Sequence, residues 1–271
     1  MKEPKPVIPK KVLGQHFLKN KEVISQSISA LRLRAGDTVI EIGPGTGALT
    51  GPLQATCESV GASLVVIEKD ESLAASLTLS PKQVITGDAL AELPALAAAQ
   101  AEYKVIGNIP YYITGHLLRV LSELTNKPLA TVLMVQKEVA DRICAAAGSM
   151  NLLAAATQLW SDPQFLVRVS PRDFDPPPAV HSAVILLTPR HRSLTNGERT
   201  AYYNGLHRIF KQPRKLLINN LSAPLSPGVP GKEISRGEAA ALIRLLGLSE
   251  TARPQDLAVE QLILLSKYLA G

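Results

Sequence analysis

The chain has 271 residues, 46% of them hydrophobic, which is enough for one large α/β core or for a core with a small second domain. It contains no run of about 18 consecutive apolar residues, and the opening Met1-Lys2-Glu3-Pro4-Lys5-Pro6 has no apolar stretch behind it, so the expectation is a cytoplasmic protein with neither a membrane span nor a secretory leader. The net charge of +6 is unevenly spread: residues 1–21 carry six Lys and one Glu, residues 198–271 carry ten Lys/Arg and six Asp/Glu, and the stretch between them is net −3. Basic ends flanking a mildly acidic core suggest a polyanionic partner, without distinguishing RNA from DNA. Cys57 and Cys144 are far apart and match no metal spacing, so they read as two inert thiols.

In chain order, residues 1–13, with three prolines and four lysines, predict a disordered arm. Val23, Ile24, Ser27, Ile28 and Leu31 then share one helical face. Strands are predicted at 38–42, 63–67, 83–86, 103–106 and 131–135, with helical stretches such as 70–77 and 114–124 between them. Strands alternating with helices indicate a parallel sheet covered on both faces. After residue 160 the pattern changes. Segments 164–169 and 183–188 read as two strands joined by the loop Asp175-Pro176-Pro177-Pro178, an arrangement expected of an antiparallel pair at a sheet edge. Beyond residue 193 the strand signals stop, and helices are predicted at 198–210, 213–222, 235–246 and 259–269. A domain boundary is expected near 190–197.

The first chemical motif is Glu41-Ile42-Gly43-Pro44-Gly45-Thr46-Gly47, placed after a strand and before a helical run, the context of a nucleotide-binding turn. The dinucleotide fingerprint would need its third glycine at Ala48, so a dehydrogenase is disfavoured. Glu68 ends the next strand and can accept hydrogen bonds from ribose hydroxyls. Gly87-Asp88 ends the strand after that, where a carboxylate can accept from an adenine amino group. Three such features at the carboxyl ends of consecutive strands suit a mononucleoside such as S-adenosylmethionine.

The second motif is Gly107-Asn108-Ile109-Pro110-Tyr111-Tyr112. An exocyclic adenine amine is a poor nucleophile because its lone pair is delocalised into the ring. Acceptors that hold its hydrogens favour a pyramidal, more reactive nitrogen. The Asn108 side-chain oxygen and the Ile109 carbonyl can serve, with Pro110 restricting the backbone that aims them. Tyr111 can stack on the base. Phe174, beside the triple proline, is a candidate for the other wall of a base pocket. Transfer from a sulfonium is then chiefly a matter of alignment.

Taken together, these segments resemble the bacterial small-subunit (16S) ribosomal RNA adenine dimethyltransferases, the kasugamycin-sensitivity enzymes. The residues that carry the resemblance are Gly14-Gln15-His16-Phe17-Leu18, the turn at 41–47, Glu68, Gly87-Asp88, Asn108 to Tyr111, Gln136-Lys137-Glu138-Val139, Phe174 with its prolines, and Phe210-Lys211-Gln212-Pro213-Arg214-Lys215. The resemblance implies a Rossmann-like class I methyltransferase fold with a seven-stranded, mostly parallel sheet and a small all-helical C-terminal domain. It divides the chain into an N-terminal arm (1–20), a methyltransferase domain (21–192) and an RNA-contacting helical domain (193–271). It also implies S-adenosylmethionine as cofactor: His16 and Leu18 lie in the motif that covers it, Gly43, with Gly45 beside it in the turn, meets its amino-acid part, Glu68 its ribose, Asp88 its adenine and Asn108 its reacting end. The implied reaction is dimethylation of the N6 amines of two adjacent adenines in the 3′-terminal hairpin loop of 16S rRNA. The substrate would be an immature 30S subunit, and the enzyme a monomer needing neither metal nor membrane.

Two departures from the family pattern stand out. The segment after the Gln-Lys-Glu-Val string is shortened to Gly148-Ser149-Met150-Asn151-Leu152-Leu153 and lacks a tyrosine, and Pro213 replaces a common arginine. Rival readings are a large-subunit rRNA dimethylase of the macrolide-resistance type, a DNA adenine methyltransferase, and a non-enzymatic ribosome assembly factor. The triple-proline loop and the long helical C-terminal segment favour the small-subunit type. Only about 75 residues remain for the larger target-recognition region a DNA enzyme would bring. Intact Gly43, Glu68, Asp88 and Asn108 argue for catalysis.

Overall fold

The computed structural model describes residues 16–80, 82–225 and 231–271. The arm expected over 1–13, Gly14-Gln15, and most of the break at 223–231 lie outside them. The chain divides into two compact units, one of Met1–Ala140 with Asp162–Pro189, the other of Asp141–Ser161 with Arg190–Gly271. Among the described residues no helix is long and apolar enough to cross a membrane.

The first unit contains β1 (Phe17–Leu18), α1 (Lys21–Ala30), β2 (Thr38–Ile42), α2 (Thr50–Val60), β3 (Ser63–Glu68), α3 (Glu71–Ala74), β4 (Val84–Thr86), α4 (Ala89–Ala99), β5 (Tyr103–Asn108), α5 (Thr114–Glu123), β6 (Ala130–Gln136), the start of α6 (Lys137–Ile143), β7 (Ser161–Val169), β8 (Phe174–Asp175) and β9 (Ser182–Pro189). Seven strands form one sheet in the order β4-β3-β2-β5-β6-β9-β7. From β4 to β6 every pairing is parallel, and β9 runs antiparallel to β6. The expected edge pair is present, with β9 lying between β6 and β7. The central strands β5 and β6 are buried almost throughout, as continuous apolar runs covered on both faces must be.

Local chemistry sets the element boundaries. Asn20, Asp70 and Asp88 cap α1, α3 and α4, each accepting from a backbone N–H of the first turn. Helix α3 is shorter than the expected 70–77, because Ser76 and Leu77 continue only in tight bonds to Leu73 and Ala74. A second, two-stranded sheet pairs β1 with β8, Phe17 opposite Asp175 and Leu18 opposite Phe174. Two-residue strands carry too short an alternation to be read from sequence.

The second unit is helical: α7 (Leu152–Gln158), α8 (Asn196–Ile209), α9 (Leu217–Leu221), α10 (Arg236–Leu245) and α11 (Val259–Ala270), together with the end of α6. It takes in more chain than the 193–271 read from sequence. Met150, Ala154, Ala155 and Leu159 are buried in the same cluster as Tyr202, Leu206 and Leu262, and the Tyr202 hydroxyl donates to the Ala155 carbonyl at 3.0 Å. Gly148 and Met150 both donate to the Gln255 carbonyl, so the shortened 148–153 stretch is stitched into this unit. Reciprocal capping boxes, Thr195 with Glu198 and Ser235 with Glu238, start α8 and α10. Helix α9 is shorter than the expected 213–222. Residues 211–215 form an exposed turn instead, clamped by Asn220, which accepts from Gln212 N and donates to Gln212 O.

Among the described glycines, the closest approach of a backbone atom is at Gly107, opposite Ile42 in the β2–β5 pairing. A Cβ there would lie 2.6 Å from the Ile42 carbonyl oxygen, a backbone atom that cannot move aside. Gly107→Ala should therefore destabilise the protein by roughly 1–3 kcal/mol in urea denaturation. Gly51→Ala, where an added methyl meets nothing within 4 Å, should be neutral or stabilising in the same measurement.

Candidate active site

A cavity of about 360 Å³ opens at the carboxyl ends of β2, β3, β4 and β5. This is the point at which the strand order reverses, where open α/β sheets hold ligands. His16, Leu18, Gly43, Gly45, Glu68, Asp88, Asn108, Ile109, Pro110 and Tyr111 all line it. Eleven sequence-derived positions were candidates, and Phe174 alone falls elsewhere. It is 1% exposed and packs in the core cluster with Ile24, Ile28 and Val184, its strand held against Leu18. Its strand pairs with β1, and its ring does not line this cavity.

The glycine turn follows β2 directly. Gly43 and Gly45 have φ of +66° and +58°, a region side chains rarely adopt, and a Cβ on Gly45 would meet the Phe17 ring at 2.9 Å. The turn therefore needs glycine at 45 both for its bend and to admit the aromatic of β1. The Gly45 N–H donates to Glu68 Oε2 at 3.0 Å, and Asp70 N–H donates to Oε1 at 2.9 Å. Glu68 is 6% exposed, and these two bonds fix it at the end of β3 with lone pairs to spare.

Asp88 accepts from Leu90 N–H and from the Lys69 ammonium, at 2.9 and 2.8 Å. Lys69 first, and the Leu90 N–H second, hold the Asp88 carboxyl below the usual range, so it is a carboxylate at neutral pH. Lys69 lines the same cavity and was not singled out from sequence. Only the folded chain brings it to Asp88, 19 positions away.

Asn108 ends β5. Its Nδ2 donates to the His16 carbonyl at 3.0 Å, which leaves Oδ1 as the free acceptor of the amide. Pro110 leads into a 3-10 turn, Tyr111–Ile113, closed by Ile113 N–H to the Pro110 carbonyl. The Tyr111 ring stacks near His16, centroids 6.1 Å apart at 23°, and its hydroxyl lies 2.6 Å from Ser182 Oγ. Burial pushes the Tyr111 phenol up, so it stays neutral at pH 7.

A further residue emerges from the structure. Glu41, within the quoted turn but with no role assigned from sequence, is 1% exposed and lines the cavity. Thr50 donates to its Oε1 at 3.1 Å, while Oε2 is buried without a partner among the described residues. Burial, with a smaller contribution from the nearby Glu68 charge, raises its pKa to about 8. A buried, unpartnered carboxyl oxygen beside the glycine turn suits the ammonium of an amino-acid moiety. Together with Glu68 for diol hydroxyls, Asp88 for an amino group and the glycine turn, the donor and acceptor set fits S-adenosylmethionine.

This cavity on this strand order defines a class I methyltransferase that uses S-adenosylmethionine. The family model for ribosomal RNA adenine dimethylase matches residues 9–265, and the chain belongs to that family; it is an rRNA adenine dimethyltransferase. It is 36% identical to ribosomal RNA small subunit methyltransferase A of a Synechococcus strain, over 96% of each chain. To the protein of the same name from Dehalococcoides mccartyi it is 34% identical, over 93% of this chain and 85% of the relative. Among solved structures it resembles a dimethyladenosine transferase from Plasmodium falciparum, with a TM-score of 0.74 and 25% identity over 92% of this chain and 96% of that one.

The Glu41 carboxyl yields a pH prediction. An unfolded chain releases this proton near the ordinary carboxylate pKa of 4.5, whereas the folded chain holds it to about 8. Stability contributed by this group therefore declines as pH rises across that interval and levels off above it, by up to about 1.4 kcal/mol per unit. Glu41→Gln carries no titrating proton and should flatten that slope, as urea melts of both forms at acidic and mildly alkaline pH will show.

Proposed function

We propose that this enzyme dimethylates two adjacent adenines of small-subunit ribosomal RNA, in the 3′-terminal hairpin loop, on an immature 30S particle in the cytoplasm. The observation that carries the reading is the orientation of Asn108. Its amide nitrogen is committed to the His16 carbonyl, so Oδ1 is the acceptor offered to an exocyclic amine at the mouth of the cavity. The names of the Synechococcus and Dehalococcoides relatives support the small subunit as target.

In this reading His16 and Leu18 cover the cofactor, Gly43 and Gly45 let backbone approach its amino-acid part, and Glu41 receives the ammonium. Glu68 holds the ribose and Asp88 the adenine, with Lys69 keeping Asp88 ionised. The cofactor supplies an electrophilic methyl on sulfur. The Asn108 oxygen and the Ile109 carbonyl draw on the target amine's hydrogens, and Tyr111 sets the plane of the base. No general base is required, since the amine can lose its proton after the methyl has transferred.

The helical unit contributes phosphate contacts through the exposed turn that carries Lys211, Arg214 and Lys215. Pro213 at the centre of this turn supplies no charge, so Lys211, Arg214 and Lys215 carry the interaction. The protein acts as a monomer, with no metal.

The reading is tested by incubating the protein with labelled S-adenosylmethionine and immature small subunits, large subunits or duplex DNA, followed by digestion to nucleosides. Dimethyladenosine should arise from small subunits alone; monomethyl product confined to DNA would overturn the assignment. Asn108→Ala should lower the methylation rate by about 100-fold or more while subunit binding persists. Replacing Arg214 and Lys215 together should weaken subunit binding and shallow its dependence on salt, with cofactor affinity unchanged.

A further inference from the structure

Residue 16 stands at the meeting point of three parts of the first unit. Its carbonyl accepts from Asn108 Nδ2 at 3.0 Å. Its ring Nδ1 lies 2.8 Å from the Pro176 carbonyl, and because a carbonyl can only accept, Nδ1 carries the hydrogen. The ring also lies nearly parallel to that of Tyr111, whose hydroxyl is tied in turn to Ser182. The residues that follow are anchored independently: Phe17 and Leu18 pair with β8, Lys19 N–H donates to the Asp173 carbonyl at 2.7 Å, and Asn20 Nδ2 donates to Asp173 Oδ1 at 3.0 Å. The imidazole is the link by which residue 16 itself is held to the Pro176 loop.

We propose that His16 is a positioning residue for methyl transfer, fixing the Asn108 amide so that its oxygen rather than its nitrogen faces the target amine. The inference rests on the reading of Asn108 given above. An amide has two orientations of similar shape. Turned over, Asn108 would set its own oxygen against the His16 carbonyl, losing one hydrogen bond and opposing two lone pairs. The same flip would offer N–H donors to an amine that needs acceptors. Holding the His16 carbonyl in place therefore selects the productive orientation before substrate arrives, and the Nδ1 bond to Pro176 together with the Tyr111 contact holds it. The ring acts through its Nδ1–H donor to the Pro176 carbonyl, and no proton transfer is assigned to it.

Asparagine carries an amide nitrogen the same number of bonds from Cβ as Nδ1 and can make the same donation to the Pro176 carbonyl. His16→Ala and His16→Asn in the full chain therefore separate the roles. At saturating cofactor and small subunits, His16→Ala should lower kcat by about 10-fold or more, and His16→Asn should recover to within about 3-fold of the unaltered enzyme. In cofactor-free protein, side-chain amide exchange followed by NMR should show Asn108 Nδ2 hydrogens about 10-fold less protected in His16→Ala, with protection restored in His16→Asn. The proposal is overturned if saturating cofactor restores full kcat to His16→Ala, if His16→Asn is as slow as His16→Ala, or if Asn108 exchange is the same in all three proteins. Failure of the wider functional reading is a separate result, namely no dimethyladenosine from the unaltered enzyme. The exchange experiment uses no substrate and does not depend on it.

Discussion

Strands β2 and β5 lie side by side where the chain's order in the sheet reverses, and nearly everything at the cavity depends on how closely they approach. Ile42 and Gly107 are paired, and no space for a side chain remains at position 107. One strand releases the chain into the glycine turn, the next into the reacting string, and the two loops diverge from a common edge. A Cβ on Gly43 would lie 3.8 Å from the Asn108 carbonyl, so the turn and the reacting string are neighbours in space although 65 positions apart in sequence. Had the strand order not reversed here, β3 or β4 would separate them and the cavity would have no floor.

Three carboxyl groups converge on that cavity, and each is stabilised by a different physical means. Glu68 is held by two backbone N–H groups. Asp88 is held by the Lys69 ammonium and the first turn of α4. Glu41, the most deeply buried of the three, has a single hydroxyl partner among the described residues and retains its proton to about pH 8. Burial is the main cause of that retention, and the nearby Glu68 charge adds to it.

Much of this was legible in the chain itself. Buried parallel strands leave continuous apolar runs, so β2, β3, β5 and β6 stand out; the ends of β2, β3 and β5 locate Gly43, Glu68 and Asn108, and the short β4 locates Asp88, without any knowledge of contacts. The helical character of the C-terminal segment is equally plain from its periodicity. Less was legible where a role depends on a distant partner. Lys69 looks like a surface cation until Asp88 is placed beside it. Phe174 looks like a loop aromatic until β8 is found paired with β1 and its ring buried in the core. The stretch from Asp141 to Ser161 has the apolar pattern of either unit, and its allegiance to the helical one is visible only when Met150, Ala154 and Leu159 are found buried against α8 and its neighbours.

The amino-acid sequence alone determined the identities of the chemical groups, their placement at strand ends and the alternation that makes a parallel sheet, because these follow from local propensity and from periods of two and 3.6 residues. The tertiary structure decided which groups touch. It turned the Asn108 amide toward His16, drew Lys69 to Asp88, closed β1 over Gly45 and left Glu41 without a second partner among the described residues. Those outcomes depend on contacts between residues far apart in the chain. No local period encodes such contacts, so they were settled only when the sheet order brought the strand ends together.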